Sequence, residues 1–227
     1  MSGYATRNVT LSIGGHDYQV RALGDRQQFA DPNGDAARAG IFSAQWAHFG
    51  QPWPSGCALA ETMSAFAIDG KRILELGCGL GLSSLVLQRR EADITASDHH
   101  PLAESFLEHN AALNGLPSIA YRDLPWSEPD ATLGRFDVII ASDVLYERDH
   151  AAQLAGMMHR HARDDAEIVL SDPGRGNSAS FTRAMQAQGY AVDEQRQRFE
   201  EADTEPFRGR VIHYRRDDAS RDALHPS

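Results

Sequence analysis

The sequence predicts an α/β fold: a Rossmann-like, seven-stranded doubly wound sheet with helices on both faces, preceded by an N-terminal β-hairpin. Short apolar segments alternate with longer helical segments through most of the chain, the order that builds a parallel sheet with right-handed crossovers. The first of these apolar segments ends at Leu76 and continues into glycines at every second position, Gly77, Gly79 and Gly81. A strand, a glycine bend and a helix in this order favour a ligand site at the end of a parallel strand.

The length of 227 residues suits one large domain or a domain with a small extension. We predict a hairpin and entry segment over residues 1–56, the main α/β domain over residues 57–216, and a disordered polar tail over residues 217–227. No segment approaches the roughly 18 continuous apolar residues of a membrane span, and the first ten residues contain no apolar signal core. Cys57 and Cys78 form no metal pattern, so we expect no metal and a reducing, cytoplasmic setting. The lack of a long apolar segment predicts no membrane association.

The composition gives 22 basic and 32 acidic residues, a formal net charge of −10, without a basic stripe. Nucleic-acid binding draws most of its affinity from neutralised phosphates, so we expect no nucleic-acid partner. A basic protein or a small cationic substrate would instead be attracted. The sequence carries no signal for the oligomeric state.

The N-terminal part begins with a predicted hairpin over residues 9–22, which turns at Gly14 and Gly15. Residues 24–56 are rich in glycine and proline, which breaks regular structure. Aromatic residues are interleaved in this entry segment, more of them than ordinary loops contain: Phe29, Phe42, Trp46, Phe49 and Trp53. The segment is therefore expected either to pack as a lid over the domain or to line a pocket.

The main domain alternates helix and strand. Helices are predicted over residues 57–66 (capped by Ser55 or Gly56), 82–90, 101–114, 149–163 and 177–188. Besides the strand that ends at Leu76, strands are predicted over residues 92–97, 119–122, 136–142 and 167–171. Residues 190–197 and 210–215 alternate in polarity and are predicted to pair antiparallel at the sheet edge.

The spacing of the glycines argues against a dinucleotide site. That site needs G-x-G-x-x-G, and the third glycine position is occupied by Leu82 or Ser84, depending on the register. An acid inside the strand, Glu75, followed by G-x-G-x-G, instead resembles motif I of the class I S-adenosylmethionine-dependent methyltransferases. In that superfamily the loop wraps the methionine end of the cofactor. The alternative is a glycine-rich turn that serves packing alone.

Polar and aromatic side chains follow the other strands at the same edge of the sheet. Asp98 ends the second strand and can accept hydrogen bonds from both ribose hydroxyls of an adenosine; the alternative is a capping or turn aspartate before Pro101. His99 and His100 beside it are expected to be exposed loop residues. Asp123 and Trp126 follow the third strand, where an aspartate can accept from the adenine amine and an indole can stack on the base; Trp126 can also be a packed surface residue.

Ser142, Asp143 and Tyr146 close the fourth strand. Asp143 and Tyr146 lie three residues apart where the chain leaves the sheet, so their side chains can converge and face a methyl group held by the glycine bend. The alternative is a capping aspartate and a packed tyrosine.

Taken together, these segments resemble the seven-strand "family 16" protein-lysine methyltransferases. The resemblance rests on the segment of residues 52–60 (P-W-P-S-G-C-A-L-A), the E-L-G-C-G-L-G motif of residues 75–81, Trp126, and the D-V-L-Y motif of residues 143–146. It implies an enzyme that uses S-adenosylmethionine, releases S-adenosylhomocysteine and has Asp143 and Tyr146 as catalytic residues at the acceptor amine. The implied cofactor-binding residues are Trp53, Glu75, Gly77, Gly79, Gly81, Asp98, Asp123, Trp126 and Ser142.

Two further features refine the resemblance. Residues 172–175, D-P-G-R, are similar to a bacterial branch related to the electron-transfer-flavoprotein lysine methyltransferase. In contrast, the family usually has an acid directly before the tryptophan, whereas Leu124 and Pro125 separate Asp123 from Trp126 here. The adenine contacts are the part of the site that this difference affects.

The predicted function is methylation of lysine side chains in a protein substrate. The alternative is a small-molecule amine or pyridine (nicotinamide-like) N-methyltransferase, for which an aromatic lid over residues 42–53 would be suited, whereas an open acidic groove suits a protein. A non-catalytic binding protein on the same scaffold would have damaged cofactor motifs, and a nucleic-acid methyltransferase would conflict with the acidic charge.

Overall fold

The structure is a computed structural model that describes residues 4–25, 31, 33–41, 46, 48–128, 130–174, 176–200 and 206–216. Phe29, Phe42, Arg175 and the predicted tail over residues 217–227 lie outside these ranges. The predicted N-terminal hairpin is confirmed: β1 (Thr6–Ile13) pairs antiparallel with β2 (His16–Leu23). Gly14 and Gly15 form the two-residue turn with φ of 58° and 78°, the left-handed geometry that suits the twist of a hairpin.

The central sheet has seven strands, as predicted. They are β3 (Arg72–Leu76), β4 (Asp93–Asp98), β5 (Ala120–Asp123), β6 (Phe136–Ser142), β7 (Ala162–Asp172), β8 (Tyr190–Phe199) and β9 (Phe207–Arg216). The strand order is β5-β4-β3-β6-β7-β9-β8. Strands β3 to β7 are parallel to one another, and β9 pairs antiparallel with both β7 and β8.

The helices of the described chain are α1 (Asp35–Arg38), α2 (Pro54–Ala65), α3 (Leu82–Arg89), α4 (Ala103–Leu113), α5 (His150–His161) and α6 (Ser178–Ala187). The predicted cap of α2 at Ser55 or Gly56 is wrong, because Pro54 occupies the first helical position and Trp53 the cap; proline is favourable there, since its missing N–H has no partner to lose. Strand β7 also begins earlier than predicted. It follows α5 directly, and Ala162 pairs with Phe136 before a register irregularity.

Alternate residues of the buried strands face opposite sides of the sheet, as the two-residue period of a strand requires. Val138 and Ile140 of β6 pack with the hairpin and with α2, α3 and α4. Ile139 and Ala141 pack on the other side with α5 and α6. Helices therefore cover both faces, which confirms the predicted doubly wound class.

The hairpin joins the same core instead of standing apart from it. The side chain of Asn110 on α4 accepts a hydrogen bond from the Arg21 N–H (2.7 Å) and donates to the Leu80 carbonyl of the glycine bend (3.0 Å). Asn114 makes the equivalent pair of bonds with the backbone of Gln19. The predicted boundary at residue 56 stays a prediction, and the hairpin braces the helix that packs behind the bend.

The order of the strands fixes where a ligand can lie. The chain passes from β3 outward to β4 and β5 and then returns to β6, which pairs with β3 on its other side. The carboxyl ends of β3 and β6 therefore flank the topological switch point, where open α/β sheets bind their ligands. Within the described residues, no helix combines the length and the apolar character that crossing a membrane requires.

Candidate functional site

A cavity of about 940 Å³ opens at the carboxyl ends of β3, β4, β5 and β6, within the size range of small-molecule sites, roughly 300–1,000 Å³. The structure brings ten of the predicted site residues to its wall: Trp53, Glu75, Gly77, Gly79, Asp98, Asp123, Trp126, Ser142, Asp143 and Tyr146. Gly81 does not line the cavity; it lies behind the wall, at the cap of α3. In the described part of the chain, no group of three or more His, Cys, Asp or Glu side chains is placed to hold a metal ion.

The glycines of the bend serve two purposes. All three have positive φ, 66°, 54° and 77° for Gly77, Gly79 and Gly81, a conformation that other residues adopt at a cost. A Cβ on Gly81 would lie 2.3 Å from the Leu107 Cδ1, and one on Gly77 would lie 3.2 Å from the Trp126 ring. A Cβ on Gly79 would meet no atom within 4 Å. Two glycines thus permit close packing, and Gly79 leaves the cavity side of the bend open.

Glu75 connects the strand before the bend to the helix after it. Its buried carboxylate accepts hydrogen bonds from the Ser84 N–H (3.1 Å) and from the Ser84 hydroxyl, in the first turn of α3. Burial raises the pKa of Glu75 to about 7, although the bonds from Ser84 lower it in part. The nearby charge of Asp98 raises the pKa of Glu75 further. A positive charge in the cavity would therefore favour the ionised form of Glu75.

Asp98 lies between the bend and the next loop. Its carboxylate accepts from the Gly79 N–H (2.8 Å) and from the His100 N–H (2.9 Å). Burial raises the pKa of Asp98, and the backbone N–H bonds oppose that rise. Each carboxylate oxygen can accept a further hydrogen bond, so the two ribose hydroxyls that we expect there have acceptors. The cap of α4 is Leu102, so Asp98 serves the turn before that helix and is not its cap.

The expectation that both histidines after Asp98 are exposed is wrong for His100. The residue is 7% exposed, and its ring stacks on Phe49, with ring centroids 4.0 Å apart, and meets Trp46 edge-on at 4.6 Å. Burial lowers the pKa of His100 to about 3. Trp46 and Phe49 of the entry segment cover this loop, and the sequence alone does not show that contact. The described residues of the segment both pack on the domain and line the cavity, so both predicted roles apply to them.

His99 joins two segments at the adenine end of the predicted site. Its Nδ1 lies 2.8 Å from a carboxylate oxygen of Asp123, and its Nε2 lies 3.0 Å from the Ala39 carbonyl oxygen. Ala39 follows α1, and both residues line the cavity. His99 therefore ties the turn after α1 to the carboxylate that we expect at the adenine.

Strand β6 ends in a strained turn at Asp143. Asp143 has a positive φ of 53°, which costs a non-glycine residue free energy. Its N–H donates to the Ser171 carbonyl (2.9 Å), and the same carbonyl accepts from the Ser55 hydroxyl (2.9 Å). Ser55 and Ser171 are both buried and their hydroxyls are 3.0 Å apart. The start of α2 thereby holds the strand end from which the Asp143 side chain projects.

Tyr146 is enclosed by two histidines that sequence reasoning missed. It stacks on His48, with centroids 4.5 Å apart at 22°, and meets His150 edge-on at 4.5 Å. The Trp53 indole N–H donates to the His48 carbonyl (2.8 Å), which fixes the entry segment beside the site. His150 follows Tyr146 by only four residues, but no helical periodicity links the two, because α5 begins at His150 itself. The contacts of His48 and Ser55 are distant in sequence and give no local signal.

The described residues of the D-P-G-R segment, 172–174, lie beside the site and not in its wall. Asp172 is buried at the end of β7 and forms an ion pair with Arg210 at 3.4 Å. Arg210 also donates to the Ser178 hydroxyl (2.9 Å) at the start of α6. These contacts join β7, β9 and α6 next to the strand end that supports Asp143.

Comparison with known proteins agrees with this geometry. A family model described as lysine methyltransferase matches residues 47–188. The electron transfer flavoprotein beta subunit lysine methyltransferase of Mus musculus is 26% identical over 182 residues, which cover 77% of this chain and 69% of that protein. The calmodulin-lysine N-methyltransferase of Arabidopsis thaliana is 28% identical over 138 residues, 56% of this chain and 45% of that protein.

The fold has counterparts among solved structures as well. The crystal structure of ribosomal protein L11 methylase from Lactobacillus delbrueckii subsp. bulgaricus superposes with a TM-score of 0.55 at 20% identity, covering 70% of this chain and 77% of that chain. The family match extends over more than half of the chain, from the entry segment to α6. The chain therefore belongs to the lysine methyltransferase family and is an S-adenosylmethionine-dependent methyltransferase.

Proposed function

We propose that this enzyme transfers a methyl group from S-adenosylmethionine to the side-chain amine of a lysine in a protein substrate. One observation carries the proposal: in a chain of the lysine methyltransferase family, a single cavity contains both the glycine bend and the pair Asp143 and Tyr146. The names of the relatives support a protein acceptor, since two of them are lysine methyltransferases of the electron transfer flavoprotein beta subunit and of calmodulin.

The cavity fits the cofactor in shape and in charge. When bound, S-adenosylmethionine supplies an electrophilic methyl group on a positively charged sulfur. The open face of Gly79 leaves room for its methionine end, and Glu75 places a carboxylate beneath the bend. Asp98 is placed to accept from the ribose hydroxyls, because its oxygens already point at the bend.

The remaining cofactor contacts follow the wall of the cavity. We assign Asp123 to the adenine amine, and Trp126, whose ring covers Gly77, to the border of the cofactor. Trp53 and Ser142 line the wall between the bend and the acceptor end. Each of these assignments rests on the position of the side chain at the cavity and on the resemblance to the family.

At the acceptor end, Asp143 orients the amine and Tyr146 walls the channel. Both residues line the cavity beside the bend. Direct displacement at the methyl carbon requires the amine nitrogen at roughly 3–3.5 Å with its lone pair aligned. The turn held by Ser55 and Ser171 fixes the Asp143 carboxylate for that purpose, and the stacked Tyr146 ring excludes water.

The wider setting of the enzyme is also a proposal. Both cysteines are free and buried, which supports a reducing, cytoplasmic location. The net charge of −10 supports a basic protein surface as the substrate and argues against a nucleic acid. Acidic side chains in the cavity wall, among them Asp123 and Asp143, point the same way.

Incubation with methyl-labelled S-adenosylmethionine tests the proposal. The enzyme is added to a lysate of its host, and the label is followed into protein and into small-molecule fractions. We expect label in protein, recovered as methyl-lysine after hydrolysis, and little transfer by Asp143→Ala at an unchanged cofactor affinity. Label confined to small amines would reject the protein substrate in favour of a small-molecule methyltransferase.

A further inference from the structure

Four aromatic rings stand in a row along the acceptor wall of the cavity. His48 stacks on Tyr146 (4.5 Å between centroids), Tyr146 meets His150 edge-on (4.5 Å), and His150 meets Trp126 edge-on (5.0 Å). All four residues line the cavity. Trp126 in turn lies against the bend at Gly77. His150 is therefore the ring that joins the cofactor end of the row to the acceptor end.

The hydrogen bonds of His150 determine its tautomer. Its Nδ1 lies 3.0 Å from the Val144 carbonyl oxygen, and a carbonyl oxygen only accepts, so Nδ1 carries a hydrogen. In the neutral ring Nε2 then holds a lone pair and is a proton acceptor. Nε2 lies 3.7 Å from a carboxylate oxygen of Glu147. The Glu147 side chain is 46% exposed and that of His150 13%, so the pair leads from the cavity wall to solvent.

The turn that carries His150 is held on both sides. The Asn177 side chain donates to the Leu145 carbonyl (2.8 Å), and the Asp143 N–H donates to the Ser171 carbonyl (2.9 Å). His150 is the first residue of α5. Its ring position is thus fixed by the backbone bond to Val144, by the two edge-on rings and by an anchored turn.

Methylation of a lysine needs a proton acceptor, because the ammonium form has no lone pair. Asp143 stabilises the ammonium and so opposes the loss of its proton. We propose that His150, by its neutral Nε2, takes the proton of the acceptor ammonium and passes it to water by way of Glu147. This inference rests on the proposed function, and it makes His150 a further catalytic residue of the same reaction.

The step balances in atoms and electrons. The N–H bond of the ammonium breaks, the proton moves to Nε2, and the electron pair stays on the lysine nitrogen. That pair forms the new N–C bond as the C–S bond breaks, and the bonding pair of the C–S bond remains on sulfur. The proton on His150 leaves through the Glu147 carboxylate to water, which restores the neutral ring for the next turnover.

Polar and aromatic groups face His150 from several elements. Tyr146 and Glu147 face it from its own turn, and Trp126, which does not titrate, faces it from the connection after β5. His48 lies beyond Tyr146 on the entry segment, and Asp143 lines the same cavity. A histidine accepts a proton only in its neutral form, so turnover is expected to rise with pH until the base is neutral and then to level off.

The decisive variant is His150→Asn. Asparagine can still donate from the position of Nδ1 to the Val144 carbonyl, but it has no basic nitrogen at the position of Nε2. We expect kcat at pH 7 to fall by about 100-fold, the lower end of general acid–base contributions, with cofactor affinity within about twofold. We also expect the rise with pH to disappear and added imidazole to restore part of the rate. The control is His159→Asn, an exposed histidine on the same helix, with unchanged kinetics.

The outcomes separate this inference from the proposed function. If wild-type enzyme labels a small amine and no protein lysine, the protein substrate is rejected, and the variant is then compared on that amine. If label is transferred and His150→Asn keeps the wild-type kcat and pH profile, the inference is overturned. Should the variant fail to bind cofactor, the wild-type profile decides. A rise that levels off well below about pH 10, where a lysine amine itself loses its proton, supports the role of His150. A level profile, or a rise that continues to that range, overturns it.

Discussion

Replacement of Asp98 by alanine tests the cofactor end of the site. In the protein the Asp98 carboxylate accepts from the N–H groups of Gly79 and His100 at 2.8 and 2.9 Å. With cofactor bound, we expect it to accept from two ribose hydroxyls as well. The alanine variant removes all of these acceptors but leaves the strand intact, since the side chain of alanine fits wherever that of aspartate does.

The size of the effect follows from the number and type of bonds. A hydrogen bond to a charged partner contributes about 1.5–3 kcal/mol, and water that enters the vacated space replaces part of the second bond. We therefore expect Asp98→Ala to weaken cofactor binding by about 1.5–3 kcal/mol, which is roughly a 10- to 150-fold increase in Kd. Folding stability should also fall by about 1–3 kcal/mol, because two N–H groups lose their acceptor.

Isothermal titration calorimetry with S-adenosylmethionine measures the first quantity, and urea denaturation the second. Asp98→Asn is the matched control, because it keeps the shape and one acceptor oxygen and loses the charge; its Kd should fall between those of the wild type and the alanine variant. A folded Asp98→Ala protein with a Kd within twofold of the wild type would refute the assignment of Asp98 to the ribose.

Three further predictions concern packing, positioning and pH. Gly81→Ala should lower the free energy of unfolding by about 2–5 kcal/mol in urea denaturation. The left-handed backbone strain costs about 1–2 kcal/mol, and the contact of the new Cβ with Leu107 at 2.3 Å costs about 1–3 kcal/mol. A loss below about 1 kcal/mol would contradict this reasoning. Ser55→Ala should lower the free energy of unfolding by about 1 kcal/mol and should reduce kcat more than Ser171→Ala does. The Ser55 hydroxyl donates to the carbonyl that also accepts from the Asp143 N–H, and Ser171→Ala leaves both of these bonds in place. Equal kcat values would show that the hydroxyls only fill space. The pKa of Glu75 is raised from its ordinary 4.5 to about 7. The folding stability that the protonated Glu75 carboxyl contributes is therefore fully present below about pH 4.5 and is lost as the pH rises through 7. Thermal denaturation should show the wild type losing stability relative to Glu75→Gln over that interval, and parallel pH profiles would contradict it.

The features that could be predicted from the sequence are those set by local pattern. The strand before Gly77, the bend itself and the polar residues that end β4 and β6 all follow from periodicity and from motif spacing. The observed strand order then places the ends of β3 and β6 side by side. The shared cavity of Asp98 and Asp143 is therefore a consequence of topology.

The features that escaped prediction depend on contacts between distant residues. Ser55 and Ser171 are 116 positions apart and meet only because the start of α2 lies against the ends of β6 and β7. His100 is buried because Trp46 and Phe49 fold back over it. The composition of the entry segment indicates that its aromatic residues pack somewhere, but no local pattern shows against which loop.

The boundaries of helices and strands likewise include some that a local sequence signal predicts and some that only distant contacts determine. Pro54 starts α2, and the known preference of proline for the first helical position could have placed that boundary. The early start of β7 had no such signal. Residues 163–165 are polar and exposed, as in a loop, and only the pairing of Ala162 with Phe136 makes them part of the strand.

A crystal structure with S-adenosylhomocysteine would test the central claim most directly. The account predicts the thioether sulfur over the bend of Gly77 and Gly79, the ribose hydroxyls on Asp98, and the sulfur turned toward Asp143 and Tyr146. Density for the ligand elsewhere, or a phosphate-bearing nucleotide held by the same bend in its place, would contradict it.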